Sequence, residues 1–269
     1  MPDASLPAEL DHVAVAVERW DDAFPRYLGD LGGVWISGGR APGFAPGQMR
    51  YPHPERAMKV EVLEPNEVEH NDFLRRFLDA SGPGPHHLTF KVPDLAGALD
   101  VVRDHGYDPI GVDLSSADWK ESFIHPKQAC GIVVQIAQAS GEMPTEVSVP
   151  AVEARVPRPA VLAEVVLLLA DLAAGTHLFE GLLGGRRSSA DTDHVVLDWP
   201  GGGRLRLARP EPASEESEWL GSRPGRLGHL VFELDEPAAV PGAVAVGGGV
   251  HVVPASANHG VRLELRPRA

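Results

Sequence analysis

The stretch GPGPHHLTFKV at residues 82–92 begins as a Gly/Pro turn and continues as a strand in which polar and apolar residues alternate. A histidine, His87, stands at the start of that strand. Similar strand starts occur as LDHVAVAV at 10–17, LAEVVLLL at 162–169 and LGHLVFEL at 227–234. Four related strand starts in one chain predict an internal structural repeat.

The residues after each strand start predict the rest of the repeat. In the first half, each unit is interpreted as a strand, a helix and about three further strands. The spacing supports a duplication, because His12 and His87 are 75 residues apart and Glu61 and Gln135 are 74 residues apart. The predicted fold class is therefore α+β, with tandem βαβββ modules that form two domains in one chain.

Composition predicts where the two domains meet. The stretch ASGEMPTEVSVPAVEARVPR carries three prolines and no apolar period, so a linker is expected at 141–158. It would join a domain at 1–140 to a second domain at 159–269. Two more segments are interpreted as loops: the Gly/Pro-rich residues 38–54, with room for an edge strand, and the acidic residues 210–226.

Charge and cysteine content indicate which binding partners and which cellular location to expect. The 269 residues include 38 acidic and 24 basic side chains, for a net charge of -14, and contain no basic run. Nucleic acid and anionic membranes are therefore not expected partners. The single cysteine, Cys130, excludes an internal disulfide and predicts a cytoplasmic location. The N-terminus lacks the pattern of a signal peptide, and no run of about 20 apolar residues predicts a membrane span.

Aligned modules place four polar side chains at equivalent positions. His12 and His87 share the first-strand position, and Glu61 and Gln135 share the last-strand position. If two modules pair around a pseudo-twofold axis, these side chains point into one cavity. Two imidazoles, a carboxylate and an amide oxygen suit a divalent metal such as Zn, Co, Mn, Ni or Fe, and no thiolate narrows the choice.

Each of these residues also has a purely structural interpretation. A single strand histidine is usually structural, and Gln135 could form hydrogen bonds in the core. Glu61 could be a solvated strand residue, because Lys59 shares its strand face. His86 is expected to point to the opposite strand face from His87. The agreement of four aligned positions favours the metal site over these alternatives.

Residues 10–138 resemble the vicinal oxygen chelate superfamily, which includes glyoxalase I, methylmalonyl-CoA epimerase, extradiol dioxygenases and bleomycin-resistance proteins. Four motifs, in the same order as in that superfamily, carry the resemblance: LDHVAVAV at 10–17, LEP at 63–65, DFLRRFLDASGPGPHHLTFKVPD at 72–94 and FIHPKQACGIVVQIA at 123–137. The first half is most similar to methylmalonyl-CoA epimerase, and the second half resembles the fold weakly.

The resemblance implies paired βαβββ modules and a metal held by His12, His87 and the last-strand pair. In the epimerases that pair is a glutamine in the first module and a glutamate in the second, whereas Glu61 and Gln135 reverse the order here. The epimerase glutamate also moves a proton, which Gln135 cannot do. No clear carboxylate stands for the partner base, and Gln48 is the nearest residue. Glu61 is therefore the expected catalytic proton acceptor.

The second half has a different set of residues at the equivalent positions, namely Glu164, Arg206, His229 and Glu264. An arginine among the ligands would repel a cation. We therefore expect Glu164, Arg206 and Glu264 to form an ion-pair cluster in place of a metal. The alternative is an anion-binding pocket that uses Arg206 and His229. This half is interpreted as a degenerate domain that covers the first or replaces a dimer partner.

The predicted function is a metal-dependent lyase or isomerase, similar to an epimerase, for a small oxygenated carbon acid or thioester. The reaction would proceed through a metal-stabilised enolate. One alternative is a non-catalytic protein that binds a small molecule such as an antibiotic. Another is an Fe(II) extradiol-type dioxygenase, which Gln135 argues against because those enzymes have a glutamate there. The expected partner is a small-molecule substrate, and the assembly is a homodimer or an intrachain pseudo-dimer.

Overall fold

The computed structural model describes residues 5–52, 57–141, 147–148 and 150–268. The first half contains eight strands: β1 (Glu9–Ala16), β2 (Val34–Gly38), β3 (Ala45–Tyr51), β4 (Met58–Glu64), β5 (Gly84–Lys91), β6 (Pro109–Asp113), β7 (Trp119–Ile124) and β8 (Val133–Ala139). Its helices are α1 (Trp20–Phe24), α2 (Phe73–Ser81) and α3 (Leu95–Asp104). These strands form the first sheet, in the order β2-β3-β4-β1-β5-β8-β7-β6.

The second half contains another eight strands: β9 (Val161–Leu169), β10 (Arg186–Ala190), β11 (His194–Asp198), β12 (Arg204–Ala208), β13 (Gly225–Leu234), β14 (Val244–Gly247), β15 (Val250–Val253) and β16 (Arg262–Pro267). Its helices are α4 (Leu172–Thr176) and α5 (Glu215–Leu220). The second sheet has the order β10-β11-β12-β9-β13-β16-β15-β14, which repeats that of the first. The predicted α+β fold with tandem βαβββ modules is therefore confirmed.

The sequence 82–92 shows how one module passes to the next. Gly82 ends α2 with a φ of 69°, a left-handed conformation that favours glycine, and its N–H donates to the Leu78 carbonyl at 2.8 Å. Strand β5 then begins at Gly84 and pairs in parallel with β8. Because Leu88 and Phe90 are fully buried on one strand face, His87 and Thr89 are fixed on the other.

Helix α1 changes its geometry at Pro25. The α-helical turns run from Trp20 to Phe24 and continue as a π-helical segment, Pro25–Asp30. A proline has no backbone N–H to donate, so the α-helical hydrogen-bond pattern is interrupted at this residue. Helix α4 continues in the same way through the π-helical segment His177–Leu182, which is a further sign of the repeat.

Two segments that were interpreted as loops contain regular structure. Strand β3 pairs on one side with β2 and on the other with β4, so it lies inside the sheet and not at an edge. Helix α5 lies within the acidic segment, where the Ser214 hydroxyl accepts a hydrogen bond from the Ser217 N–H at 3.1 Å. The strand allowed for at 38–54 is therefore present but is not an edge strand, and the prediction of a loop at 210–226 was wrong at Glu215–Leu220.

The chain also separates into two compact units, each built from parts of both sheets. The first combines Met1–His12, His87–Glu142 and Glu164–Gly228, and in it Phe90 packs against Trp199 at a ring distance of 5.3 Å. The second combines Val13–His86, Met143–Ala163 and His229–Ala269, and in it Tyr51 packs against Phe232 at 4.9 Å. Strands from both halves thus contribute to each core.

The division into domains at 1–140 and 159–269 stays a prediction. The strands of the first sheet end at Ala139 and those of the second begin at Val161. Of the expected linker, residues 142–146 and 149 lie outside the described residues. In the described part of the chain, no helix has the length and apolar character needed to cross a membrane.

Candidate metal centre

Three neighbouring strands of the first sheet bring three predicted ligands together. Strand β1 lies between β4 and β5 and carries His12, while β4 carries Glu61 and β5 carries His87. One ligand atom from each residue lies within 4.8 Å of the other two. All three side chains are buried, with 1%, 7% and 6% exposure respectively. Among the described residues, this is the one group of three or more His, Cys, Asp or Glu side chains close enough to share an ion.

The orientation of His12 is set by its neighbour in sequence. The Asp11 carboxylate lies 2.8 Å from His12 Nδ1, and its other oxygen lies 3.2 Å from Lys91 Nζ. A carboxylate favours the tautomer that carries hydrogen on Nδ1, so the lone pair remains on Nε2. Nε2 is therefore the nitrogen of His12 that could bind a metal. The rings of His12 and His87 meet edge to face, with centroids 5.8 Å apart.

The Glu61 carboxylate is held by an amide on the adjacent strand. Gln48 on β3 is directly opposite Glu61 in the register, and its Nε2 donates to Glu61 Oε1 at 2.8 Å. The sequence analysis identified Gln48 as the nearest residue to the missing partner base. As a neutral amide, Gln48 orients the carboxylate but cannot accept a proton at ordinary pH.

Gln135 lies on β8, the other neighbour of β5, and is 7% exposed. Its amide oxygen accepts a hydrogen bond from the Thr89 hydroxyl at 2.6 Å. Its amide nitrogen donates to Glu121 Oε2 at 2.8 Å. The amide is thus fixed on both sides, and its role as a fourth ligand stays a prediction.

Glu121 is a site residue that the sequence analysis did not identify. It lies on β7, and its Oε2 also accepts a hydrogen bond from Trp119 Nε1 at 2.9 Å. Since Phe123 is directly opposite Gln135, Glu121 lies two residues away on the same strand face. The sequence gives no clear signal for this placement, because it depends on the pairing register of β7 with β8.

His86 lies apart from the ligand set, as the alternation of the strand predicts. Its ring packs against Phe77 at 4.7 Å and Phe73 at 5.9 Å, both on α2. Burial lowers the pKa of His86 to about 4, and the charge of Glu61 opposes that effect in part. His86 is therefore neutral near pH 7 and serves as a packing residue.

The equivalent positions of the second sheet form ion pairs. Arg206 on β12 donates to both oxygens of Glu164 on β9, at 2.8 and 3.2 Å, as predicted. Glu264 on β16 pairs with Arg266 at 2.6 Å, a partner that the sequence analysis did not assign. His229 Nε2 lies 3.7 Å from Glu264. These carboxylates are therefore bound by cationic side chains of the same sheet.

Comparisons with solved structures find proteins that are similar to about half of this chain. Solved structures with a similar fold include methylmalonyl-CoA epimerase from Mycobacterium tuberculosis, with 26% identity and a TM-score of 0.45 over 52% of this chain and 94% of that one. A Streptomyces coelicolor methylmalonyl-CoA epimerase variant in complex with 2-nitronate-propionyl-CoA has 22% identity and a TM-score of 0.43, covering 51% and 98%. A hypothetical protein from Bacillus halodurans C-125 has 22% identity and a TM-score of 0.44, covering 51% and 99%.

These neighbours each span about half of this chain, and their TM-scores lie below 0.5. Among curated protein sequences, no significant match was found. The sequence profile described as the Glyoxalase/Bleomycin resistance protein/Dioxygenase superfamily matches residues 11–123, which lie in the first half and include both histidines of the candidate centre. The chain therefore contains a domain of the glyoxalase/bleomycin resistance/dioxygenase superfamily.

Proposed function

We propose that this protein is a metal-dependent lyase or isomerase, similar to an epimerase, that removes a proton from a small oxygenated carbon acid or thioester. The observation that carries the proposal is the buried group of His12, Glu61 and His87 at the centre of the first sheet. The choice of a carbon acid or thioester rests on the sequence resemblance to the epimerases.

The donor atoms of this group suit a divalent ion. Two imidazole nitrogens and a carboxylate oxygen are ligands of Zn, Co, Mn, Ni and Fe. Ligands at about 2.1 Å from one ion lie roughly 3–3.5 Å from each other. The three ligand atoms lie within 4.8 Å of one another, so an ion would draw them together by small side-chain movements. A bound ion would supply a Lewis acid that stabilises negative charge on a substrate oxygen.

Glu61 is the proposed proton acceptor. It is the carboxylate of the buried group, and the hydrogen bond from Gln48 fixes its orientation. Gln48, which binds its carboxylate, and Gln135, the proposed fourth ligand, are amides that cannot take or return a proton. This arrangement favours chemistry with a single base, such as elimination or isomerisation on one face of the substrate, over inversion by two bases.

The same two amides favour a second candidate function. A protein that binds a small molecule without transforming it needs an ordered polar site but no second acid or base. Gln48 and Gln135 would then act as hydrogen-bonding groups for the ligand or for the site itself. The two functions differ in one measurable property, the exchange of a substrate α-proton with solvent.

The test is α-proton exchange in D2O, followed by NMR, for a panel of small carboxylic acids and their thioesters. The protein is loaded with Mn, Co, Ni or Zn, or with Fe(II) without oxygen. We expect exchange that His12→Ala and Glu61→Gln abolish and that Glu69→Gln retains, since Glu69 is an exposed control with 72% side-chain exposure. Ligand binding without exchange would contradict the proposal and support the binding function. Oxygen uptake with catechols would indicate the dioxygenase.

A further inference from the structure

We propose that Glu121 is a positioning residue, which orients the amide of Gln135 so that its oxygen faces the metal centre. This inference rests on the proposed function, because it assumes that the first sheet holds a divalent ion. Within an amide, the oxygen binds a metal and the NH2 group does not. A glutamine ligand therefore needs a defined orientation, which a symmetrical carboxylate does not.

The strand order gives the two ends of the amide different surroundings. Strand β8 lies between β5, which carries His87, and β7, which carries Glu121. The oxygen of Gln135 faces β5, where it accepts the hydrogen bond of Thr89, and the nitrogen faces β7. The oxygen is thus on the side of the histidines, and one of its two lone pairs remains for another partner.

Glu121 determines this orientation, and Thr89 does not. A hydroxyl group can donate or accept, so Thr89 would tolerate either end of the amide. An ionised carboxylate can only accept, so a rotated amide would place its oxygen against Glu121 Oε2, where the nitrogen now lies at 2.8 Å. The rotated state would lose a charge-assisted hydrogen bond and gain a repulsion between two acceptors.

Glu121 is itself held by contacts within one compact unit. The Trp119 indole, which can only donate, binds the same carboxylate oxygen at 2.9 Å. Lys91 Nζ lies 5.8 Å from the centre of the Trp119 ring and 3.2 Å from the Asp11 carboxylate. Asp11 in turn contacts the histidine of β1. One connected set of contacts therefore supports both the first and the last strand of the proposed ligand set.

The second sheet gives an internal comparison. There the residue equivalent to Gln135 is Glu264, and the residue equivalent to Phe123 is Val252, which lies opposite it. The residue two positions earlier, equivalent to Glu121, is Val250. In the first sheet, the amide of Gln135 thus has the carboxylate of Glu121 at this neighbouring position. In the second sheet, the carboxylate of Glu264 has the apolar Val250 there.

The test is a Co(II) titration of the full-length protein by calorimetry and by the visible spectrum of the bound ion. We compare Glu121→Gln, Gln135→Glu and the double variant. We expect Glu121→Gln to weaken binding about 10-fold, as is typical when a group behind a metal ligand is removed. With Gln135→Glu already present, the same change should strengthen binding, because it removes the repulsion between two neighbouring carboxylates.

The effect of Glu121→Gln in the Gln135→Glu background distinguishes a role in orienting the amide from a general effect of negative charge. Equal affinity of Glu121→Gln and the unaltered chain, or equal weakening in both backgrounds, would overturn the role of Glu121 and leave the proposed function standing. Absence of Co(II) binding by the unaltered chain would contradict both the role of Glu121 and the proposed function.

Circular dichroism checks that each variant folds, and Trp119→Phe provides a milder variant. Because it removes the indole donor that holds Glu121, we expect it to weaken binding about 3-fold, less than the loss of Glu121 itself. No change with Trp119→Phe would also count against the role.

Discussion

The two sheets have the same strand order but carry different polar side chains on their central strands. In the first sheet, the central strands carry His12, Glu61 and His87, and the partner of the carboxylate on the next strand is a neutral amide. In the second sheet, Arg206 takes the place of Glu61 and binds the carboxylate of Glu164 with two hydrogen bonds. The same strand order thus carries the proposed metal ligands in the first sheet and an internal ion pair in the second.

The two sheets differ in how each balances the charge of a buried carboxylate. A buried carboxylate needs a partner, because burial of an uncompensated charge is costly. Glu164 has a guanidinium and Glu264 has Arg266, so both are balanced by the protein. At Glu61 the strand opposite supplies Gln48, which orients the carboxylate without neutralising it. The first centre therefore presents the set of side chains that we propose as ligands of a divalent ion.

Loss of a histidine from the first sheet should have the largest effect. His12→Ala or His87→Ala deletes an imidazole ligand and should weaken binding of Co(II) by on the order of 100-fold or more, above the ~10–100-fold typical of groups behind the ligands. The matched control is His229→Ala, which removes the histidine at the position equivalent to His87 in the second sheet. Calorimetric titration measures both. An equal loss of Co(II) affinity in His229→Ala would show that the first sheet is not the sole site of binding.

The second sheet should gain a site when it is given the residues of the first. Glu164→His with Arg206→Glu removes the ion pair and creates two imidazoles and two carboxylates at the four equivalent positions. We expect the stoichiometry to rise from about one to about two ions per chain, because the ligand types would then suit a divalent ion. Equilibrium dialysis with Zn(II) measures the count. A folded variant that still binds about one ion would contradict the idea that these four positions decide metal binding.

Arg206 should matter for stability and not for metal binding. Its side chain is 29% exposed and that of Glu164 is 4% exposed, so Arg206→Met would leave a buried carboxylate without its cation. We expect a loss of about 2–3 kcal/mol in the free energy of unfolding, which is below the ~3–5 kcal/mol typical of fully buried pairs because Arg206 is partly solvated. Urea denaturation measures it. The double variant with Glu164→Leu should recover most of the loss, and failure to recover would mean that Arg206 acts through packing.

The smallest effect is expected at Gln48. Its equivalent in the second sheet is Val196, which lies opposite Arg206 as Gln48 lies opposite Glu61. Gln48→Val should weaken Co(II) binding roughly 10-fold or less, because it removes the group that orients a ligand and not the ligand itself. Calorimetry measures the Co(II) affinity of this variant. The control is Gln138→Val, which replaces a glutamine further along β8. Unchanged affinity in Gln48→Val would show that Glu61 needs no support from β3.

The repeat and three members of the proposed centre could be predicted from the sequence, because they follow from alternation and spacing. The strand starts place His12 and His87 at equivalent positions, and the predicted strand at 57–63 places Glu61. Strand β3 was expected at most as an edge strand, because APGQMRY contains proline and glycine, which usually weaken a strand. Pairing with strands on both sides outweighs that local preference, and Met49 and Tyr51 are fully buried.

The residues around the centre were harder to predict, because they depend on register between strands. Glu121 contacts Gln135 because β7 pairs with β8 in a register that places the two side chains side by side. Arg266 becomes the partner of Glu264 because residues two apart on a strand share a face. Neither contact follows from residue type or from the spacing between modules alone, since a shift of one residue would send the side chain to the other face.

The most direct test is to locate the ion in crystals of protein purified without chelators, by anomalous diffraction at the absorption edge of the metal found by mass spectrometry. The account predicts about one divalent ion per chain, bound by His12, Glu61 and His87 in the first sheet. It also predicts no such ion beside Glu164 and Arg206, where the protein already supplies the cation. An ion bound in the second sheet, or an empty first sheet after soaking with Mn, Co, Ni and Zn, would contradict it.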